Sequence, residues 1–243
     1  MLNIAQVPTN NKHVGRLRPI RVIVVHTGET SEGPSAAEGM CAWAANPAAG
    51  GSFHVAVDTD SACRSVSDKD TAFGAPGVNA DGLHLELAGR AGQTTGEWAD
   101  AASTAILARG AGVVADWSAT YSIPMRWLSD AELADGVSKG MATHAQASRM
   151  FGGDHWDPGP AFPAEKFLNL CLAAAGQDGD GDMFDDKARY QLDQVDQKVE
   201  QIKVRQAQVN HEDYSMQARI LAAIEALDAK VSQLAAGDAK PAQ

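Results

Sequence analysis

Positive charge is in short supply in this chain: 20 Lys and Arg stand against 31 Asp and Glu, a net charge of −11. Nucleic-acid binding rests on Lys and Arg neutralising phosphates, so a nucleic-acid partner is not expected. Adsorption to anionic surfaces is disfavoured for the same reason. Cysteine is scarce as well. Cys41, Cys63 and Cys171 are too scattered for a disulfide framework and none lies in a CxxC pair, which leaves them as small buried apolar residues. A cysteine hydrolase would need its nucleophile at a helix start with a histidine in reach. Cys41 falls mid-helix, Cys63 opens a strand and Cys171 sits deep in an apolar helix. No apolar run approaches a membrane span, and the opening MLNIAQVPTNNKHVGRLRP has no signal-peptide core. Synthesis in the cytoplasm, without a membrane partner, is the expectation.

What is present suits a globular protein. The 243 residues, 44% hydrophobic and 21% charged, are enough for one well-buried domain with an appendage. Residues 1–20 are polar and read as an arm lying on that domain. RVIVVHT, residues 21–27, is a β-branched run of the kind found in buried strands. Ser35 and Glu38 form a capping-box signature for a helix that stops before Pro47, with Met40, Cys41, Trp43 and Ala44 as its apolar side. SFHVAVDTD alternates, predicting a strand with one buried face, and CRSVS is its hairpin partner. In GLHLELAG, Leu83, Leu85 and Leu87 point one way and His84 and Glu86 the other. Residues 97–121 predict one long helix and MRWLS a short strand. Pro163 and Gly176 bracket a last helix. Strands mixed with covering helices give an α/β (α+β) domain, residues 21–175, with a central mixed sheet flanked by helices.

After it the chain changes character. Residues 176–188 form an acidic, Gly- and Asp-rich linker, which departs from a calcium loop in having Met183 and Arg189 at the sixth and twelfth positions. Residues 189–243 carry a heptad seam with a stutter between Ile220 and Ile224, a coiled-coil-like tail. One long helix or an antiparallel hairpin would satisfy the pattern. Either form needs a partner surface, so self-association through residues 189–235 is expected, and the tail is a candidate assembly element in its own right.

The densest chemistry lies in residues 143–160, THAQASRMFGGDHWDPGP, read as a polar loop. If the loop folds back, His144 and Asp157 reach one ion, and zinc accepts both ligand types. A catalytic zinc site usually has three protein ligands, and His26, at the end of its strand, supplies the third. The open fourth position is where water becomes acidic, with a pKa of about 7. Glu86 is the candidate for managing that water's proton, and His155 for donating to the oxyanion. His54 and His84 are placed to support the ligands from behind or to pack within their strands, and His13 and His211 look solvated.

A strand ending in VVHT, a strand FHVAVD, a strand LHLELAG and a late H…HWDPGPAFP segment together resemble the zinc-dependent N-acetylmuramoyl-L-alanine amidases of the peptidoglycan-recognition-protein fold, bacteriophage endolysins prominent among them. The resemblance covers about residues 21–170. It implies one Zn2+ ion on His26, His144 and Asp157, with Glu86 as general base and His155 at the oxyanion position. It implies peptidoglycan as the partner, cleaved between the lactyl group of MurNAc and L-Ala, with access to the wall after release from the host cytoplasm. Two departures stand out: Phe53 replaces the Tyr that many members use in catalysis, and His84 replaces a common Gly. A non-catalytic peptidoglycan-binding module of the same fold and a bacterial wall-recycling amidase are the alternatives.

Overall fold

The computed structural model describes residues 4–176; the expected linker and coiled-coil tail lie outside the described residues. In chain order the elements are β1 (Ala5–Gln6), β2 (Lys12–His13), β3 (Val22–Thr27), α1 (Ala36–Ala45), β4 (Val55–Val57), β5 (Ala62–Arg64), β6 (Thr71–Ala72), β7 (Gly82–Leu87), α2 (Ala101–Tyr121), α3 (Asp130–Ala134), β8 (Gly140–Thr143), α4 (His144–Phe151) and α5 (Ala164–Gly176). Six strands form one mixed sheet in the order β1-β5-β4-β7-β3-β8, and β2 pairs with β6 apart from it. The central strands β4, β7, β3 and β8 are mutually parallel, and within this sheet only the β4–β5 pair is antiparallel. This is the expected mixed sheet flanked by helices.

Why the sheet is central follows from β3. Val22, Ile23, Val24 and Val25 are fully buried, because helices and loops cover both faces of the strand. Full burial of each such side chain contributes on the order of 1.5–3 kcal/mol. Ile23 and Val25 face the large core shared with Ile106 and Leu107 of α2 and Phe167 of α5. Val22 and Val24 face a smaller core with Ala75, Val78, Leu133 and Ala147. Parallel register places Val24 beside His84 and Ala142, and His26 beside Glu86. Since side chains alternate along a strand, His26, His84 and Glu86 all point to the face away from α2 and α5.

Several local expectations are corrected. Ser35 does not cap α1: it sits at φ 65° with no side-chain bond, and the buried carboxylate of Asp58 accepts from the Ala37 N–H instead, at 2.9 Å. Trp43 is 55% exposed, because the buried stripe of α1 runs Ala37, Met40, Cys41, Ala44 and leaves it out. Strand β4 is buried on both faces rather than one. The helix expected from residue 97 starts at Ala101, capped by Asp100, after a separate 3-10 turn at Glu97–Ala99. MRWLS forms no strand but a single bridge from Trp127 to Met141 of β8, and α3 follows it. The three cysteines are buried and free. Among the described residues no helix is long and apolar enough to cross a membrane.

One buried ion pair fixes the entry to the sheet. Arg21 Nε donates to Asp81 Oδ2 at 2.8 Å, and its guanidinium also donates to the carbonyls of Leu133 and Ser138, at 2.9 and 3.0 Å. Both partners are almost wholly buried. Removing one member of such a pair strands the other charge, so Arg21→Ala should cost about 3–5 kcal/mol. Urea unfolding checks this; a loss below about 1 kcal/mol would place the pair among surface ion pairs in worth.

Candidate active site

The site forms where the parallel strands end, the edge at which open α/β sheets bind ligands. His26 is the penultimate residue of β3 and Glu86 that of β7. Register pairs Val25 with Thr143, so His144, immediately after β8, follows in line with His26. Here the sequence expectation of a polar loop is corrected: residues 144–151 are helix α4, opened by His144. Thr143 caps it, its hydroxyl accepting from the Gln146 N–H at 3.1 Å. The chain then reverses through Gly152 and Gly153, both at positive φ, and runs back along the helix. The Asp157 carbonyl accepts from the Ala145 N–H at 2.8 Å, satisfying a second free donor of the helix start. That return brings the Asp157 side chain to His144. Gly159 fastens the return, since a Cβ there would collide with the Ala91 carbonyl oxygen.

His26, His144 and Asp157 thus converge, all buried, each offering one ligand atom. His26 Nδ1 and His144 Nδ1 lie 3.0 Å apart. Asp157 Oδ2 lies 3.3 Å from the first and Oδ1 3.1 Å from the second. Four ligands at 2.0–2.1 Å around zinc are about 3.3 Å from one another, so the triangle has the edge lengths of such a shell. Asp157 Oδ2 is buried without a hydrogen-bond partner, which suits an atom that binds a cation. The donor set, two imidazoles and a carboxylate, is one that holds a divalent metal. Burial holds His26 below its ordinary pKa and thus neutral, the form that can bind metal. Burial alone would raise the Asp157 carboxyl, but the adjacent His144 and His26 imidazoles outweigh it and hold the group ionised.

Glu86 stands beside the triangle and outside it. Its Oε1 is 4.0 Å from His26 Nδ1. Burial, then the nearby Asp157 and Glu29 carboxylates, push its pKa well above the usual range. His155 is exposed at the rim, its ring stacked on His144 at 4.0 Å and its Nδ1 3.6 Å from Asp157 Oδ1. It is therefore placed to touch a ligand without being a ligand atom itself.

Two further histidines, His84 and His54, form a buried row behind His26. His26 Nε2 lies 3.0 Å from His84 Nδ1, and the His84 main-chain N–H donates to His54 Nδ1 at 3.0 Å. With Nδ1 accepting, His54 must carry its hydrogen on Nε2, which faces the Asp70 carbonyl at 3.3 Å. Arg16 Nη1, 3.2 Å from that nitrogen, opposes it donor to donor and finds its acceptor in Asp70 O at 2.8 Å. Burial, reinforced by Arg16, lowers His54 to about 3, and burial with neighbouring histidines lowers His84 well below its ordinary value. Both rings are neutral. His84 meets a candidate ligand directly; His54 does not, and acts only through His84.

A cleft of about 600 Å³ opens over His26, Glu86, His144, His155 and Asp157. Trp43 and Phe73 are exposed on its lining, and Glu29 lines it as well. Glu29 Oε1 accepts from the Thr27 hydroxyl and the Ala91 N–H, at 2.9 and 2.8 Å. The sequence pattern placed Trp43 on the apolar side of α1 and not in a site, and Glu29 and Phe73 carry no local signal.

Residues 16–160 match the protein family described as N-acetylmuramoyl-L-alanine amidase. Among solved structures, a variant of PlyL is similar with 17% identity and a TM-score of 0.51, over 71% of this chain and 99% of that one. Staphylococcus aureus hydrolase AmiA, solved in complex with its ligand, is similar with 20% identity and a TM-score of 0.51, over 72% of this chain and 86% of its own. At such identities the likeness concerns the fold. No curated protein matches the chain.

Proposed function

Because the chain belongs to the N-acetylmuramoyl-L-alanine amidase family, we propose that it hydrolyses the amide between the MurNAc lactyl group and L-Ala of peptidoglycan, with one zinc ion on His26, His144 and Asp157. The observation that carries this reading is the buried triangle of Nδ1, Nδ1 and carboxylate atoms with Glu86 alongside. Bound zinc supplies Lewis acidity toward the scissile carbonyl and makes water acidic near neutral pH. The rest falls to the chain's own groups. Glu86 takes the proton of the attacking water and passes it to the departing L-Ala nitrogen, keeping proton count balanced. His155, at the rim, donates to the oxyanion that develops on the carbonyl oxygen. Phe53 offers no hydroxyl, so proton transfer rests on Glu86. The cleft walls at Trp43 and Phe73 receive the stem peptide and glycan.

Asp157 favours catalysis over a binding role, since a module that only recognises the wall has no use for a completed ligand triangle. A lysis role, with the enzyme reaching the wall after release from the host cytoplasm, is supported by the sequence resemblance to phage endolysins. The test is elemental analysis of purified protein beside digestion of peptidoglycan with and without a chelator. Stoichiometric zinc with chelator-sensitive release of L-Ala amino termini is the expected result. Zinc without cleavage would overturn the enzymatic reading, and no metal would overturn the ligand assignment.

A further inference from the structure

We propose that His84 is a positioning residue of the metal centre: its Nδ1 accepts the outer N–H of His26 and so holds His26 Nδ1 aimed at the metal. The proposal rests on the reading of His26 as a zinc ligand. A neutral imidazole has one hydrogen. If Nδ1 is to bind metal, that hydrogen lies on Nε2, and the atom facing Nε2 must be an acceptor. That atom is His84 Nδ1, 3.0 Å away. Metal-binding histidines almost always give this outer N–H to a carboxylate, a carbonyl or water. Here a neighbouring histidine stands in that place.

The surroundings of His84 are shaped for an imidazole. A Cβ added to Gly74 would stand 2.6 Å from His84 Nδ1 and 2.7 Å from its Cγ, and one on Gly82 would stand 3.1 Å from Nε2. Any larger residue at Gly74 would push the ring out of line. His54 lies stacked against it, with centroids 5.7 Å apart and planes 9° off parallel, and pins its main chain from both sides: His54 N–H donates to the His84 carbonyl and His54 Nδ1 accepts the His84 N–H. The ring is held at a cost, since His84 Nε2 is buried without a partner. An apolar side chain of similar size would avoid that cost, so packing does not account for the histidine. His144 Nε2 is also without a partner. Support of the ligands from behind therefore falls on the His84–His26 contact.

The test compares zinc affinity, by competition with a chromophoric chelator, and the visible spectrum of the Co2+-loaded protein, in wild type, His84→Leu and His84→Asn. Leu fills the space without an acceptor; Asn Oδ1 takes the place of Nδ1. His84→Leu should weaken zinc binding about 10–100-fold, the usual effect of losing an outer partner, and alter the Co2+ spectrum. His84→Asn should recover most of both. Thermal melting of the metal-free variants establishes that each is folded; if His84→Leu is not, His84→Ala replaces it in the same comparison. Wild-type affinity in the Leu or Ala variant would overturn the proposal, as would an Asn variant as weak as Leu. Absence of zinc binding by the wild type itself would instead overturn the assignment of His26.

Discussion

Asp157→Ala should yield a folded protein that retains no stoichiometric zinc and releases no stem peptide from peptidoglycan. The carboxylate supplies two of the three edges of the ligand triangle, 3.3 Å to His26 Nδ1 and 3.1 Å to His144 Nδ1. Without it, two imidazoles remain, fewer than the three protein ligands of a catalytic zinc site. The loss in affinity should therefore exceed the roughly 10–100-fold expected when only an outer partner is removed. Folding should survive, because the Asp157 contact that closes the start of α4 is made by its main-chain carbonyl to Ala145 N–H, which alanine keeps. Circular dichroism separates the two effects from metal analysis. Asp157→Asn sharpens the test: it preserves shape and one oxygen while removing the charge that offsets a dication, and should also lose zinc. One equivalent of zinc surviving dialysis in Asp157→Ala would remove Asp157 from the ligand set and with it the proposed centre.

The sequence disclosed the ligands more readily than the route that joins them. His26 was legible because four β-branched residues precede it, and a run of that kind is buried and stiff. Glu86 was legible because period-two alternation put it with His84 on one face of a strand. The approach of Asp157 to His144 was legible only as a spacing. What fills the spacing, an outward helix and an extended return, depends on Gly152 and Gly153 reversing the chain and on Asp157 meeting the helix start. Eight residues, of which only Ala145, Ala147, Met150 and Phe151 are apolar, are too short a stretch to declare α4 from sequence alone. The same limit explains Ser35: its capping signature is local, but the partner that wins, Asp58, is 21 residues away from Ala37 in sequence. In β4 the alternation was real and its meaning was not. One buried face was expected, on Phe53, Val55 and Val57, yet His54 and Asp58 on the other side are also buried and satisfied by internal hydrogen bonds. A polar network inside a domain leaves the same imprint on a sequence as a wet face.

Glu86→Gln should lower turnover by about 10²–10⁴-fold, the usual contribution of a general base, while leaving zinc content unchanged. Gln matches Glu in shape, and Oε1 at 4.0 Å from His26 Nδ1 lies outside the ligand triangle. The same substitution should act on stability with the opposite sign. In the metal-free protein, burial and then Asp157 and Glu29 raise the Glu86 pKa well above its ordinary value. A raised carboxyl favours the folded state while protonated; that contribution is complete below the ordinary carboxylate range, about pH 4, and is lost as pH rises through the folded-state pKa. Near neutral pH the ionised group thus costs stability that Gln does not. Metal-free Glu86→Gln should melt at a higher temperature than wild type at about pH 8, and the difference should close toward about pH 4. Zinc should also narrow it, because a dication beside the carboxylate favours the ionised form. Full activity in Glu86→Gln would show that the base lies elsewhere. Equal melting temperatures at every pH would mean that the carboxylate is not strained in its place. Lost turnover together with gained stability, at one side chain and without loss of metal, separates a base held for chemistry from a residue held for packing.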